Sequence, residues 1–326
     1  MNRAASSGLL RPSRLTGLAV VAALLAACGS AANPSASPTT AGARPTSTST
    51  TTGSTTTGST TTGSTAAASS TTAAGGTSCT KGSLHLVHPG QLTVATDTPA
   101  YPPWFQANKP ANGKGYESAV AYAVAHQLGF SSNQVEWVVE PFDNSYVPGP
   151  KKFDFDINEI SVTPARSKAV TFSSGYYSVH QAVIVKGSSP FAKATSVAAL
   201  KGAKLGAQVG TTGLIDIQNV IKPTKQPSVF NTTNDAVSAL NNGQIDGIVI
   251  DLPTAVYMAS QQVKGAKVIG TLPDTGAPEQ FGLLFARGDP LVTCVDQALA
   301  HLRSAGTLTQ LQHKWLAQYV GVPQLK

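Results

Sequence analysis

The sequence predicts an α/β fold with mainly parallel sheets, and two observations support that prediction. Strand-like and helix-like stretches alternate from residue 91 onward, as expected of strands joined by helical connections. About 245 residues follow residue 80, which is enough for two domains of ordinary size. We therefore expect folded structure from about residue 80 to the C-terminus.

The first 27 residues have the composition of an export signal. Arg3, Arg11 and Arg14 accompany an apolar run over residues 15–27 that is too short to span a bilayer comfortably. The run ends in Leu25-Ala26-Ala27-Cys28, where small residues before a cysteine resemble the lipobox of bacterial lipoproteins. We expect Cys28 to be lipidated and to anchor the mature chain to the outer face of the cell membrane. The alternative is an ordinary signal peptide in which this cysteine is incidental.

Residues 28–78 consist almost entirely of Ala, Ser, Thr, Gly and Pro. Such a segment cannot bury enough apolar surface to offset its chain entropy, so we expect a flexible tether. A plain spacer is the simpler interpretation, although Ser and Thr beside Pro are also typical of O-glycosylated stalks. The tether would let a folded domain reach away from the membrane.

Charge and motif content argue against nucleic-acid binding and against several enzyme classes. Four of the arginines behind the formal net charge of +7 lie before residue 45, and no Lys/Arg-rich run follows. The six histidines show no HExxH pattern, and neither a Walker loop nor a GxSxG elbow is present. The cysteines also lack the spacing of metal ligands. We expect no nucleic acid, no metal and no cofactor.

Two cysteines remain once Cys28 is assigned to a lipid anchor. Cys79 stands where folded structure should begin, and Cys294 lies on a predicted helix near the C-terminus. Outside the cytoplasm such a pair is expected to be oxidised. We therefore predict one disulfide, which would fasten the start of the folded chain to its end. Two unpaired thiols are the alternative.

The individual elements follow from hydrophobic periodicity and from capping residues. Helical spacing over 117–128 ends at Gly129, and two helices follow the capping pair Asp289-Pro290. Thr163 before a proline predicts a helix start with Arg166 in the first turn. Other helices are predicted at 211–220, 234–240 and 253–260, and strands at 91–96, 134–139, 153–157, 181–185, 203–208, 228–231, 245–250 and 280–285.

Four polar residues form a candidate site for a small zwitterion. A buried carboxylate needs a cation and N–H donors, and a buried ammonium group needs an acid. Arg166 supplies a guanidinium that can bind a carboxylate with two hydrogen bonds, and the helix starts at Thr163 and Thr211 supply N–H groups. Asp251, which follows an apolar strand, supplies the acid. Each residue also has an ordinary structural interpretation, as a surface arginine or a helix cap, but their order along the chain favours a pocket.

A series of motifs runs through the predicted domain. The stretches are Thr96-Asp97 through Tyr101-Pro102-Pro103-Trp104, Gly115-Tyr116-Glu117, Ser161-Val162-Thr163-Pro164-Ala165-Arg166, Gly210-Thr211-Thr212-Gly213, Gly243-Gln244-Ile245-Asp246, Asp251 and Ala305-Gly306-Thr307-Leu308. In order and spacing they resemble the polar-amino-acid family of periplasmic binding proteins, solute-binding family 3. The resemblance covers residues 91 to about 318, so it spans the domain and is not a lone motif.

The resemblance implies a type II periplasmic-binding-protein fold, in which two α/β lobes are joined by a two-strand hinge with a ligand cleft between them. It places residues 79–179 and 280–326 in lobe 1 and residues 180–279 in lobe 2. It also implies a non-enzymatic, monomeric receptor that delivers an amino acid to ABC permease subunits in the membrane.

Roles for individual residues also follow from the resemblance. Arg166 would clamp the ligand carboxylate, assisted by the backbone N–H groups of Ser161 and Thr212 and by the helix start at Thr211. Asp251 would receive the ammonium group. The ligand side chain would be flanked by polar residues and by two aromatic rings, namely Asp97, Asn158, Phe142 and either Tyr101 or Trp104.

Two departures from the family pattern matter here. Glu117 replaces the usual aspartate, on a helix that we expect to lie away from the cleft. Glu159 replaces a small residue beside the ligand, and with Asp97 nearby a second carboxylate favours a cationic or strongly donating side chain. We therefore expect a basic or amide amino acid, such as arginine, lysine or glutamine.

Two other functions remain open at this point. The same fold supports cyclic dienoate dehydratases acting on prephenate or arogenate, in which Glu159 would be the general acid. Asp251 argues against this role because it suits a ligand that carries an ammonium group. A sensing receptor that presents its closed form to a partner protein would use the same pocket.

Overall fold

The computed structural model describes residues 78–326. The predicted export signal, Cys28 and almost all of the predicted tether lie outside the described residues. No helix in the described part of the chain is long and apolar enough to cross a membrane.

Residues 78–326 contain twelve strands, and the longer central strands are buried. Their Val- and Ile-rich runs suit a pleated surface that is covered on both faces. The strands are β1 (Leu92–Thr96), β2 (Val135–Val139), β3 (Phe155–Asp156), β4 (Thr171–Phe172), β5 (Tyr177–Val179), β6 (Gln181–Lys186), β7 (Leu205–Gln208), β8 (Ser228–Phe230), β9 (Gly247–Asp251), β10 (Ala266–Thr271), β11 (Glu279–Phe281) and β12 (Leu284–Phe285).

Seven α-helices connect or cover these strands within the same residues. The hydroxyls of Thr211 and Thr232 cap two of them by accepting a hydrogen bond from an N–H group three residues along the chain. The helices are α1 (Tyr116–Gln127), α2 (Phe142–Ser145), α3 (Thr212–Asp216), α4 (Thr233–Asn241), α5 (Leu252–Tyr257), α6 (Leu291–Ser304) and α7 (Thr307–Leu316).

The strands form two five-stranded sheets and one two-stranded ribbon. The sheet β2-β1-β3-β12-β4, with α1, α6 and α7 packed on it, is lobe 1. The sheet β10-β6-β9-β7-β8, with α3, α4 and α5, is lobe 2. Strands β5 and β11 pair antiparallel where the chain passes between the lobes, and they form the hinge. The predicted two-lobed α/β architecture is confirmed.

Both sheets are mixed, so the prediction of mainly parallel sheets is wrong. Strand β1 is parallel to β2 and β3, but β12 is antiparallel to β3 and β4. In lobe 2, β7 is parallel to β8 and β9, whereas β6 is antiparallel to β9 and β10. Strands β6 and β12 each follow a hinge strand directly. A strand that follows the hinge enters its sheet from the end opposite to the neighbouring strands and therefore runs antiparallel to them. The alternation of strands and helices in the sequence does not reveal this direction.

The end of the chain packs on lobe 2, which corrects the assignment of all of residues 280–326 to lobe 1. Gln324 forms a parallel bridge with Thr271 of β10. Leu325 is buried in the core of lobe 2, and its N–H donates to the Thr271 carbonyl at 2.8 Å. Strand β10 is an edge strand, and the chain end satisfies backbone groups that would otherwise be exposed along that edge.

Some elements differ locally from their predictions. The helix start predicted at Thr163 is present only as a short 3-10 turn, Arg166–Lys168, in which the Thr163 hydroxyl accepts from the Arg166 N–H at 3.2 Å. The turn ends there because the chain enters β4 three residues later. The strand predicted over 153–157 is restricted to β3, and β4, β5 and β10 were not predicted. These short strands depend on partners in distant parts of the chain, which local periodicity does not register.

Cys79 and Cys294 form the predicted disulfide, with their Cα atoms 5.3 Å apart and 215 residues between them in sequence. Cys294 lies on α6 and is buried in the core of lobe 1. The bond therefore ties the segment that precedes β1 to one of the last helices of the same lobe.

Removing this disulfide is expected to destabilise the folded domain. A variant with Cys79→Ser and Cys294→Ser opens a very long loop in the unfolded chain, and a native disulfide of this kind contributes about 2–4 kcal/mol. Urea unfolding of the variant and of the oxidised protein gives the difference in the free energy of unfolding. The reduced wild-type protein is the matched control and should unfold at about the same urea concentration as the double variant. Equal stability of variant and oxidised protein would contradict the prediction.

Candidate functional site

A cleft lies between the lobes near the hinge, with a space of about 800 Å³ that includes open solvent. From lobe 1 it is lined by residues that follow the ends of strands: Asp97 comes after β1 and Asn158 after β3. From lobe 2, Thr212 begins the helix after β7, and Asp251 ends β9. Ligand sites in α/β sheets are typically found at these carboxyl ends of strands.

The structure brings most of the predicted ligand-binding residues to this cleft. Arg166 and Trp104 are the two that do not line it. The predicted residues that do line it are Asp97, Tyr101, Phe142, Asn158, Glu159, Ser161, Thr211, Thr212 and Asp251.

Trp104 lies in the core of lobe 1, where its ring is fully buried against Tyr177 and Phe281. Its indole Nε1 donates to the Thr254 hydroxyl, on α5 of lobe 2, at 2.7 Å. Tyr101 instead lines the cleft. Of the two aromatic residues considered for the ligand side chain, Tyr101 is therefore the one that can contact a ligand in the cleft, whereas Trp104 forms a hydrogen bond between the lobes.

The Arg166 guanidinium lies between the lobes and is only 8% exposed. Its Nη1 donates to the Ser161 carbonyl at 2.7 Å, and its Nη2 donates to the Gly210 carbonyl of lobe 2 at 2.8 Å. The charge also stacks on the rings of Tyr146 and Phe142, at 4.8 and 5.3 Å from their centroids. Burial lowers the pKa of Arg166. Since an arginine stays protonated in proteins, this is a buried cation held at the edge of the cleft.

The first turn of α3 faces the cleft opposite Ser161. The Thr211 hydroxyl accepts from the Leu214 N–H at 3.3 Å, which confirms Thr211 as the N-cap. The hydroxyls of Ser161 and Thr212 are 3.5 Å apart across the two lobes. Ser161 and the first turn of α3 therefore approach each other across a narrow gap between the lobes.

Asp251 ends β9 but does not cap the helix that follows it, because no side-chain cap bond forms there. Its Oδ1 accepts from Gln181 Nε2 at 2.6 Å. The same Nε2 lies 3.2 Å from an oxygen of Glu279, a residue of hinge strand β11. Burial, and after it the nearby charge of Glu279, raises the pKa of Asp251 well above its usual range. Asp251 is therefore a partly buried acid without a cation in hydrogen-bonding contact.

Glu159 reaches across the cleft to lobe 2. Its Oε2 accepts from the Thr254 hydroxyl at 2.8 Å, and its backbone has a positive φ of 53°, which is uncommon for a residue with a side chain. Burial, then the charges of Glu117 and Asp251, raises the pKa of Glu159 well above its usual range. The substitution that stood out in the sequence thus places a second carboxyl group in the cleft.

Glu117 does not line the cleft, but it contacts a residue that does. Its carboxyl is fully buried directly behind Glu159, whose backbone N–H donates to it at 2.7 Å, and the Tyr176 hydroxyl donates to the same oxygen. Burial raises the pKa of Glu117 to about 8. The first turn of α1 packs beneath the segment that carries Glu159, and helical position alone does not show that contact.

Three polar residues that hydrogen-bond to Asp251, Glu159 or Ser161 were not predicted: Gln181, Thr254 and Glu279. Gln181 is the first residue of a predicted strand, and Glu279 stands just before another, so each was visible only as a polar residue at a strand end. Their partners lie 70 to 118 residues away in sequence. No pattern within a short window could have joined them.

Carboxyl groups dominate the charge of the cleft. Asp97, Glu159 and Asp251 line it, and burial raises the pKa of Asp97 as well. Among the described residues that line the cleft there is no lysine, arginine or histidine. Within residues 78–326 no group of three or more His, Cys, Asp or Glu side chains is arranged to hold a metal ion. The cleft is therefore suited to an organic ligand that carries positive charge.

A profile of the bacterial extracellular solute-binding proteins, family 3, matches residues 92–318. The chain belongs to this family. Its members are extracellular by description, so this family 3 protein has its place outside the cytoplasm.

The relatives of this family 3 protein bind amino acids. ABC transporter arginine-binding protein 1 of Escherichia coli (strain K12) is 29% identical over 226 residues, covering 67% of this chain and 88% of that protein. A solved ancestral arginine-binding protein bound to glutamine is 27% identical, with a TM-score of 0.59, and covers 70% of this chain and 99% of its own. The ancestral amino acid-binding protein AncCDT-1, a precursor of cyclohexadienyl dehydratase, is 29% identical, with a TM-score of 0.57. The match covers 69% of this chain and 95% of that protein.

Together these likenesses establish the type II periplasmic-binding-protein fold for this family 3 protein. They also support amino-acid binding with an ABC transporter as its general role. The curated relatives are binding proteins and not enzymes, in agreement with the non-enzymatic interpretation.

Proposed function

We propose that this family 3 protein is the substrate-binding component of an amino-acid ABC importer and that it captures a basic or amide L-amino acid by closing its cleft. The observation that carries the proposal is the acidic lining: three carboxyl groups face the ligand space, and no cation lines it among the described residues. A ligand with a second positive charge or several N–H donors complements that lining, whereas an acidic ligand is repelled.

The ligand carboxylate is proposed to bind where the lobes meet at Ser161 and Thr212. Ser161 and Thr212 lie on opposite lobes with their hydroxyls 3.5 Å apart, and Arg166 donates to the Ser161 carbonyl. A guanidinium has five N–H donors, and the carbonyls of Ser161 and Gly210 engage two of them. A carboxylate in this gap would make charge-assisted hydrogen bonds that need both lobes, so it would favour the closed form.

The ligand ammonium group is proposed to bind Asp251. This carboxyl is partly buried, and its hydrogen bond within the site comes from a neutral amide, that of Gln181. An ammonium group placed beside it would supply the missing counter-charge, which a buried carboxylate strongly favours.

The ligand side chain is proposed to extend between Tyr101 and Phe142 toward Asp97 and Glu159, since all four line the cleft. A guanidinium, an ammonium or an amide at that depth can donate hydrogen bonds to the two carboxyl groups. Two relatives fall within this range, since one is an arginine-binding protein and another is solved bound to glutamine, whereas a third is an L-cystine-binding protein.

The remaining parts of the chain fit the same role. We propose that residues 1–27 direct export, that a lipid on Cys28 anchors the protein at the cell membrane, and that residues 28–78 tether a monomeric receptor within reach of its permease. Mass spectrometry of the mature N-terminus would detect the acylated cysteine. An unmodified N-terminus elsewhere in the chain would overturn the anchor and leave the ligand proposal intact.

Thermal unfolding with a panel of amino acids tests the ligand proposal. L-arginine, L-lysine or L-glutamine should raise the melting temperature, because a ligand at a hundred times its dissociation constant adds about 2.7 kcal/mol to stability. L-glutamate and L-aspartate are the matched acidic controls and should have little effect. A larger shift with the acidic amino acids would overturn the ligand class, and no shift with any amino acid would overturn the receptor function.

A dehydratase role is not proposed for this chain. The Glu159 carboxyl would be its general acid, but prephenate and arogenate each carry a ring carboxylate, which the three carboxyl groups of the cleft would repel. Incubation of the purified domain with prephenate or arogenate should yield no aromatic product.

A further inference from the structure

Glu279 contacts both lobes from the hinge. It lies on β11, where it is paired with Val179 of the other hinge strand. The Ser161 hydroxyl of lobe 1 donates to its Oε1, and Gln181 Nε2 of lobe 2 lies 3.2 Å from its Oε2. Glu279 does not line the cleft itself. It therefore stands behind the proposed ligand site and touches the residues that build it.

The Gln181 amide has more acceptors around its nitrogen than it has hydrogens to donate. Nε2 lies 2.6 Å from Asp251 Oδ1, 3.1 Å from the Thr212 hydroxyl and 3.2 Å from Glu279 Oε2. An amide nitrogen carries two hydrogens. Gln181 lines the cleft, and the residue is only 4% exposed. Its Oε1 atom is buried and has no hydrogen-bond partner. The Gln181 amide nitrogen therefore bridges the carboxyl groups of Asp251 and Glu279.

Other charges near this pair do not neutralise it. Asp251 faces Glu117 and Glu159 from lobe 1 and Tyr177 from β5, and Arg166 is the cation that acts on it. Near Glu279, on the lobe 2 side, Asp216 of α3 adds a further acid, which in turn faces Asp274. Arg166 acts on Glu279 as well, but two of its hydrogen bonds go to backbone carbonyls and its charge stacks on Tyr146, so it forms no hydrogen bond with either carboxyl group. Two carboxyl groups that share one amide in such surroundings are most stable when one of them is neutral.

We propose that Glu279 is a positioning residue which, through Gln181, keeps Asp251 protonated while the cleft is empty, so that the arrival of the ligand ammonium group releases a proton from Asp251. This inference rests on the proposed function. In the empty cleft the proton holds the carboxyl group neutral. In the complex the ammonium group takes over as counter-charge, the O–H bond of Asp251 breaks, and the proton passes to the solvent.

The raised pKa of Asp251 agrees with this arrangement, since burial is its first cause and Glu279 its second. Affinity should therefore fall as the pH falls below the pKa of Asp251 in the empty protein. In that range the ligand must displace a proton in order to bind.

Calorimetry with L-arginine tests the inference. Titration near pH 7 in phosphate and in Tris, which differ in ionisation enthalpy, yields the number of protons released on binding. L-lysine and L-glutamine serve as further probes. The wild-type protein should release a substantial fraction of a proton, up to about one per ligand. Glu279→Gln removes the second charge but keeps the side-chain size, and it should reduce that number by about half or more, because Glu117 and Glu159 still act on Asp251.

Two matched variants separate proton coupling from a merely structural effect. Glu279→Asp keeps the charge and should retain proton release even if its affinity drops. Glu136→Gln makes the same chemical change on β2, outside the cleft lining, and should behave as wild type. Unchanged proton release in Glu279→Gln would overturn the inference, whatever happens to its affinity.

The wild-type titration alone distinguishes the remaining outcomes. Binding of L-arginine without proton release would overturn the inference and leave the proposed function standing, even if Glu279→Gln failed to fold. Failure of the wild-type protein to bind any of the three probes would overturn the proposed function and the inference with it.

Discussion

The Arg166→Ala variant is expected to bind its amino acid at least about 30-fold more weakly than wild type. Truncating one partner of a buried, hydrogen-bonded charge pair costs about 2–5 kcal/mol, and each 1.4 kcal/mol is a factor of ten. Within residues 78–326, Arg166 is the cation held at the junction of the lobes, where the ligand carboxylate is proposed to lie. Isothermal titration calorimetry measures the change in the dissociation constant.

Two further variants show whether the loss comes from the guanidinium. Lys168→Ala removes an exposed cation from the same 3-10 turn, and its affinity should stay within a factor of about two of wild type. Arg166→Lys keeps the charge but cannot span the carbonyls of Ser161 and Gly210 as a planar fork, so its affinity should fall between the other two. Wild-type affinity in Arg166→Ala would remove the basis for the carboxylate site.

The Asp251→Asn variant is expected to lose affinity while the empty protein becomes more stable at neutral pH. Affinity should fall about 100-fold because the ammonium group loses its buried counter-charge. Stability should rise because the folded protein holds Asp251 with a raised pKa. A carboxyl group whose pKa is raised in the folded protein destabilises the fold progressively as the pH rises above the pKa that the group has in the unfolded chain. Asparagine stays neutral and keeps an oxygen for Gln181 to donate to.

Thermal unfolding of Asp251→Asn between about pH 5 and pH 8 measures the second effect. The difference in melting temperature from wild type should grow as the pH rises. Asp246→Asn is the matched control, because Asp246 lies outside the cleft lining and an asparagine there keeps an oxygen to accept from the Lys204 N–H. It should change neither affinity nor the slope with pH. A destabilised Asp251→Asn variant with full affinity would contradict both the ammonium site and its raised pKa.

Local chemistry made part of this protein predictable from its sequence. Thr211 caps a helix because a hydroxyl there reaches an N–H group within the same turn, and α6 buries the predicted face because its apolar residues recur at helical spacing. The disulfide between Cys79 and Cys294 could be predicted because these two cysteines remain once Cys28 is assigned to a lipid anchor, and thiols outside the cytoplasm are expected to be oxidised. The motifs around Ser161 and Asp251 identified the family before any coordinate was known.

Only the tertiary structure decided how these residues meet. It moved Trp104 into the core, brought Glu117 beneath Glu159, and joined Gln181 to Glu279 across 98 residues of sequence. Periodicity and capping report on one or two turns of chain, whereas burial and hydrogen bonding between distant segments depend on how the lobes and hinge are assembled. The sequence therefore determined the family, the two-lobed fold and nine of the residues that line the cleft, whereas the folded hinge determined which acid has no cation in hydrogen-bonding contact.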